Sequence, residues 1–307
     1  MRAFKWFAAL SVMTLGLYST PVSAQDLTPT DAFQRAAQIK SMVLMMLEAD
    51  LYDVKDLPDP AIVPSRPRHV LRVAVDVFER IQTLRLLNGL AENPAPTTEA
   101  KPTRAADVVA VLEQAASELQ ELGPIYGVNL KIDLPGRDGD RTPGEVLAHL
   151  RAINDGLVLL GVPVTLPNDV QRTALEIRQE MTKVASLKGA PTNVKAEAVK
   201  SAMPSDALSE VMGLIDDLRN ATENDASLAL PSGVAVPPVP EGGKTIRPAD
   251  VLLAAQFALA DVYALNVALG DKNPLERIPT QAGKNPADVK NAIAGSRAQL
   301  AAIVAAE

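Results

Sequence analysis

The chain contains no cysteine. Disulfides, thiolate metal sites and cysteine nucleophiles are therefore excluded, as is a lipid anchor on an N-terminal cysteine. Aromatic residues make up 3% of the sequence, and four of them, Phe4, Trp6, Phe7 and Tyr18, fall within the first 24 residues. Beyond these the chain has Phe33, Tyr52, Phe78, Tyr126, Phe257 and Tyr263, and no tryptophan. Sugar sites, nucleobase platforms and many small-molecule pockets rely on aromatic faces, so the scarcity weighs against each. Histidine is rarer still, with His69 and His149 the two examples. There is no Gly-x-Ser-x-Gly nucleophile elbow and no phosphate-cradling glycine loop of either common pattern. Positive charge is in deficit, with a formal net charge of −7. An acidic chain repels phosphate backbones, which argues against nucleic acid as a partner.

The N-terminus reads as an export signal. Arg2 and Lys5 precede a mostly apolar run from Trp6 to Leu17, and Val22-Ser23-Ala24 is a small-residue cleavage site. The run is shorter than the about 20 residues of a membrane span. Cleavage after residue 24 removes two cations and no acid, taking the formal charge from −7 to −9. The expectation is a periplasmic or secreted bacterial protein with no membrane span after signal cleavage; retention of the segment as an anchor is the alternative. No later segment reads as membrane-length.

What the chain has in abundance is a repeat. Eight times a short signature recurs: proline, any residue, an acid, then valine or alanine. Its copies begin at Pro29, Pro67, Ala105, Pro143, Pro167, Pro204, Pro248 and Pro286. The first four starts are 38 residues apart, as are the last two, and a fixed period of this size marks a repeat architecture. Counting the first position as offset 0, offsets 3, 7, 10, 14 and 17 are apolar almost throughout. Offset 7, for example, is Ala36, Ala74, Leu112, Leu150, Ala174, Val211, Ala255 and Ile293. Spacings that alternate four and three put one narrow apolar seam on one face of a helix, as in bundles and coiled coils.

The signature itself is a helix start. Proline suits the first turn, where its missing N–H costs nothing, and an acid two residues later faces the positive end of the helix dipole. Thr142 and Asn285 precede their prolines as good caps. Arg66, Arg104, Leu166, Met203 and Arg247 do not, and for those copies the acid itself is the expected N-cap. The fold class is therefore all-α: eight repeated helices of about 20 residues with heptad-type seams, packed as helical bundles and joined by long proline-rich connectors. One connector, residues 162–166, is brief and predicts a tight antiparallel hairpin. Another is expected to hold a short extra helix near residues 193–202. The domain reading is a signal peptide over 1–24, a first four-helix unit over 25–163 and a second over 164–307, with one continuous bundle as the rival. A connector of about 16 extended residues reaches ~50 Å, longer than a 22-residue helix of ~33 Å. Successive helices can therefore be parallel or antiparallel.

Few residues suggest chemistry. Glu145 and His149 share a helix face four residues apart and are weak candidates for two metal ligands, but a bundle metal site needs further carboxylates or histidines from facing helices. The plainer reading makes Glu145 a cap and His149 the rim of the seam. Asp138-Gly139-Asp140 hints at a calcium loop, yet Pro143 stands where glycine is strictest. Arg66, Arg104 and Arg247 immediately precede signatures and Arg141 lies one residue further back. A cation there opposes the helix dipole. Either each arginine pairs with a nearby acid, or together they form a basic rim where helix N-termini hold a small anion. His69, in the acid position of its signature, is a further departure. The function expected is that of an exported, non-enzymatic scaffold or interaction protein, with another exported or envelope protein as partner and no cofactor. The alternatives are a ligand-binding or sensory module for a small anion at the arginine rim and, last, a metal-dependent enzyme through Glu145 and His149.

Overall fold

The computed structural model describes residues 27–306 apart from Thr98 and 241–243. The signal-peptide reading of residues 1–24 falls outside them. The described chain is all-helical. Its elements are α1 (Pro29–Ala49), α2 (Pro67–Leu87), α3 (Ala105–Gln120), the single turn α4 (Gly123–Tyr126), α5 (Pro143–Leu159), α6 (Pro167–Leu187), α7 (Pro204–Asn224), α8 (Pro248–Ala268) and α9 (Pro286–Ala305). Every copy of the signature opens a long helix. The extra helix expected near residues 193–202 does not form: that stretch has no regular secondary structure, and Asn291 clips it from α9, accepting from the Val199 N–H at 2.8 Å and donating to the Val199 carbonyl at 2.9 Å.

The local rule at the helix starts is uniform. The residue before the signature is the N-cap, in extended conformation, and the acid is the third helical residue rather than the cap. Its carboxylate turns back to accept the N-cap backbone N–H: Asp31 from Thr28, Asp107 from Arg104, Glu145 from Thr142, Asp169 from Leu166, Asp206 from Met203, Asp250 from Arg247 and Asp288 from Asn285, at 2.7–2.9 Å. This is one half of a capping box. It needs no particular side chain at the cap, which is why arginine, leucine and methionine are tolerated there.

The seam is where its spacing puts it. All eight offset-7 residues are fully buried. Ser296, the polar exception at offset 10, is buried with its hydroxyl bonded to the Ala292 carbonyl at 3.2 Å. These seams converge into two cores. In the first, α1 and α2 each pack on α3 and α5; in the second, α6 and α7 each pack on α8 and α9. The adjacency is the same in both, so the four-helix unit is duplicated.

Helix direction is unambiguous. Pro29, Pro67, Ala105 and Pro143 ring one small apolar pit together with Ala32, Val70, Val108 and Val146. Pro167, Pro204, Pro248 and Pro286 ring a second with their offset-3 partners. All four helices of each bundle therefore start at one end and run parallel. Each long connector returns along the outside of its bundle, fastened by side chains that reach its backbone. Gln34 and Gln38 of α1 donate to the Pro135 and Ile132 carbonyls at 2.6 Å, and Gln82 of α2 accepts the Asn93 N–H at 2.8 Å.

The two bundles meet through α2 and α8. Residues near the start of α2, Arg68 and His69, face Asp261 in the second half of α8, so these helices run antiparallel. That reversal explains the brief link: the end of α5 already lies near the start of α6. The expected hairpin is corrected accordingly, because α5 and α6 do not pack along one another. One further expectation changes. Pro248–Ala268 is long and apolar enough to cross a membrane by length and composition, although no later segment read so. Of its most apolar stretch, 78% is buried inside the fold, as for the core helix of a bundle.

Candidate functional site

The four arginines singled out by their position are not gathered around one centre. Arg66, Arg104 and Arg141 stand at the helix-start end of the first bundle. Arg247 opens α8 in the second, near Arg151 in the middle of α5. Arg141 bonds Glu145 at 2.9 Å and Asp138 at 3.3 Å, and its guanidinium lies 4.5 Å over the Phe33 ring. Arg247 is 3.6 Å from Asp250 of its own signature. Arg104 is exposed and takes part through its backbone N–H, bonded to Asp107. Arg66 alone turns inward, toward the seam between bundles, where its Nε donates to the Gly233 carbonyl at 3.2 Å.

Glu145 and His149 are likewise directed apart. Glu145 is occupied by its cap and by Arg141, contacts that hold its carboxyl below the usual range. His149 packs on Phe33, with ring centroids 4.3 Å apart, and its Nδ1 lies 2.6 Å from Asp59, which also pairs with Lys40. Burial holds the imidazole below its ordinary pKa against the pull of Asp59. No group of three or more potential metal-ligating side chains occurs among the described residues.

The concentrated polar chemistry lies at the junction of the bundles. Asp261, an acid in the most apolar helix of the chain, is 1% exposed. It receives Arg68 Nε at 2.6 Å, His69 Nε2 at 2.9 Å and the Ala235 backbone N–H at 3.2 Å. His69 is fully buried and stacks on Phe257, with centroids 4.5 Å apart. Its Nδ1 accepts the Arg66 N–H at 3.0 Å, the same backward bond that an acid makes in the other seven signatures. One imidazole thus caps α2 with one nitrogen and ties α2 to α8 with the other. Both bonds require the neutral tautomer protonated on Nε2. Burial depresses the pKa of His69, opposed by Asp261. Burial by itself would raise Asp261, but His69 and Arg68 outweigh it and hold the carboxylate low.

Compared with protein-family models, with curated proteins and with solved structures, the chain matches none. The site must be read from its own geometry.

Two clefts flank this junction. The larger, about 590 Å³, lies between α2 and the start of α6. It carries charges of both signs, and three of them form one network. Arg277 bonds Glu79 at 2.6–2.9 Å and Glu176 at 2.9 Å, and Arg172 bonds Glu79 at 2.9 Å. Burial would raise Glu79, but Arg277 and Arg172 keep its carboxyl low. This network ties the α8–α9 connector to both bundles. The second cleft, about 460 Å³, lies beside Arg66 and Arg68 and has a different character: every charged side chain lining it, Arg66, Arg68 and Lys101, is cationic.

Neither the Asp261 link nor the clefts follow from repeat spacing. In the sequence His69 stands out as a departure from the acid rule, whereas Asp261 is missed; the signal that could have found it is an acid in the apolar second half of α8, and what joined the two was tertiary.

Proposed function

We propose that this protein is a non-enzymatic helical scaffold of the bacterial envelope whose role is to dock another exported protein. The observation that carries the reading is the apolar end of the first bundle. Because α1, α2, α3 and α5 are parallel and start together, their C-terminal ends also collect at one end, where Asn88 Nδ2 lies 3.5 Å from the Tyr126 hydroxyl. There Leu51, Tyr52, Leu86, Leu87, Ile125 and Leu159 remain 39–91% exposed. Singly scattered exposed leucines are ordinary, but six large apolar side chains at one end of a bundle are the kind of exposed apolar surface that interaction sites use. The rest of the polar inventory supports a structural frame: capping acids hold helix starts, glutamines hold connectors, and the Asp261 and Glu79 networks hold the bundles together.

The test is capture from envelope extract on the immobilised protein, comparing wild type with the Leu86→Glu/Leu87→Glu double variant. A stoichiometric partner whose retention falls at least about tenfold, ~1.4 kcal/mol, while helicity and thermal midpoint are unchanged, supports docking at this end. A monomer that recovers no stoichiometric partner, or equal recovery on both proteins, rules the reading out.

A further inference from the structure

We propose that the cleft between the bundles beside Arg66 is a binding site for a small organic monocarboxylate with an apolar body. This goes beyond the docking role and rests on different residues.

The cleft encloses about 460 Å³ between the start of α2, the 101–103 segment, the 230–232 loop and the second half of α8. That size is typical of small-molecule sites, which are mainly apolar with a few converging polar groups. Its apolar wall is Leu230, Pro231, Ala264, Val267 and Ala268. Its polar groups are cations and hydroxyls. The cations are not equally free. Arg68 is consumed, with Nε on Asp261 and its terminal nitrogens on the Pro231 and Gly233 carbonyls. Lys101 lies 3.1 Å from Glu99 and 3.3 Å from Asp107. Arg66 gives Nε to Gly233, while its two terminal nitrogens donate to no protein acceptor among the described residues. A guanidinium edge with two free donors fits the two oxygens of a carboxylate. Ser65, whose buried hydroxyl has no hydrogen-bond partner among the described residues, is one of the residues lining the same cleft.

Electrostatics favour a single negative charge. Arg66 and Arg68 repel each other, and burial together with that repulsion lowers the Arg66 pKa while Asp261 acts the other way. A bound anion relieves this excess. The apolar wall selects among anions: inorganic phosphate would leave most of the cleft unfilled, whereas an aliphatic or aromatic acid covers Ala264, Val267 and Ala268. The 230–232 loop is fastened to the start of α2. Ser232 has a left-handed backbone, φ 68°, unusual for a residue with a side chain, and is followed by Gly233 at φ 63°. The two arginines make this link by bonding the carbonyls on either side of Ser232, a residue of the cleft lining.

Titration calorimetry at pH 7 with acetate, hexanoate and benzoate, against hexylammonium and inorganic phosphate, tests the site. Saturable one-to-one binding of hexanoate or benzoate is expected, with phosphate at least about tenfold weaker and hexylammonium silent. Arg66→Gln should weaken binding at least tenfold, and Ala264→Leu, which fills the apolar wall, should abolish it. Thermal midpoints of both variants without ligand identify any that fail to fold, and the other variant then decides. The site is refuted if no carboxylate binds, if phosphate binds as well as hexanoate, or if binding persists unchanged in a folded variant.

Discussion

At the scale of single residues, the third helical position explains most of the local pattern. Seven copies of the signature place a carboxylate there, and each accepts the N-cap N–H. His69 performs the same act with Nδ1 and then does what a carboxylate in that place would not, donating to Asp261. Restoring the acid by His69→Asp would set two carboxylates against each other in a buried place. A loss on the order of 3 kcal/mol is expected from urea denaturation, within the range for uncompensated buried charge; an unchanged midpoint would contradict the geometry. The pH dependence has a definite sign. The folded state holds His69 below its ordinary value of 6.5, so between the two pKa values the unfolded chain binds the extra proton. Stability from this group is complete above about pH 6.5 and falls as the pH drops toward the folded value. His149, also depressed by burial, adds in the same direction, and Asp261, held below 3.8, loses its share only at still lower pH. Urea midpoints measured from pH 7.5 to 5 should decline in the wild type and decline less in His69→Gln. Parallel curves for the two would remove His69 from the account.

At the scale of elements, the spacing of apolar residues identified every long helix and its buried face. It did so because a 3.6-residue period is a local property written in each segment. Direction is not local. A connector of about 16 residues reaches either end of its helix, so no residue in it commits the next helix to be parallel. The return paths leave a mark where connector and helix touch. A Cβ at Gly144, the second residue of α5, would stand 2.4 Å from the Val63 carbonyl oxygen in the α1–α2 connector. Alanine normally improves a helix over glycine by up to about 1 kcal/mol. Here Gly144→Ala is expected to destabilise by about 1–3 kcal/mol, the usual result of overpacking. A raised thermal midpoint would show that this connector does not pass so close. The extra helix expected near residues 193–202 failed for the same reason: its backbone is bonded from Asn291 on α9, a distant residue that no local window contains.

At the scale of the molecule, the two cores are separate but not independent. Phe257 belongs by sequence to α8 and the second bundle, yet it packs in the core of the first and stacks on His69. Unfolding either bundle therefore strips contacts from the other, and calorimetry of the wild type should show one cooperative endotherm. Phe257→Ala removes the shared ring at a cost of about 3–5 kcal/mol and should separate the melting of the two bundles into two steps. A single sharp transition in the variant would mean that the Asp261 and Glu79 links couple the bundles without it.

The sequence by itself determined that the chain is helical, that a long helix opens at each signature and which face is buried, although it set the N-cap of five helices at the acid position rather than at the residue before the signature. It also exposed Arg66 and His69 as departures from an otherwise regular pattern. These properties depend on neighbours within a turn or two, so they can be read in a line of residues. Only the tertiary structure decided that the helices run parallel, that two bundles meet head to tail through α2 and α8, and that Asp261 is the partner of His69. Those outcomes join residues from a few tens to about 190 positions apart, and loop-closure entropy changes too slowly with length for spacing to favour one such pairing over another. The cationic cleft is of the same kind, since Arg66 and Ala264 share it only because the bundles were brought together.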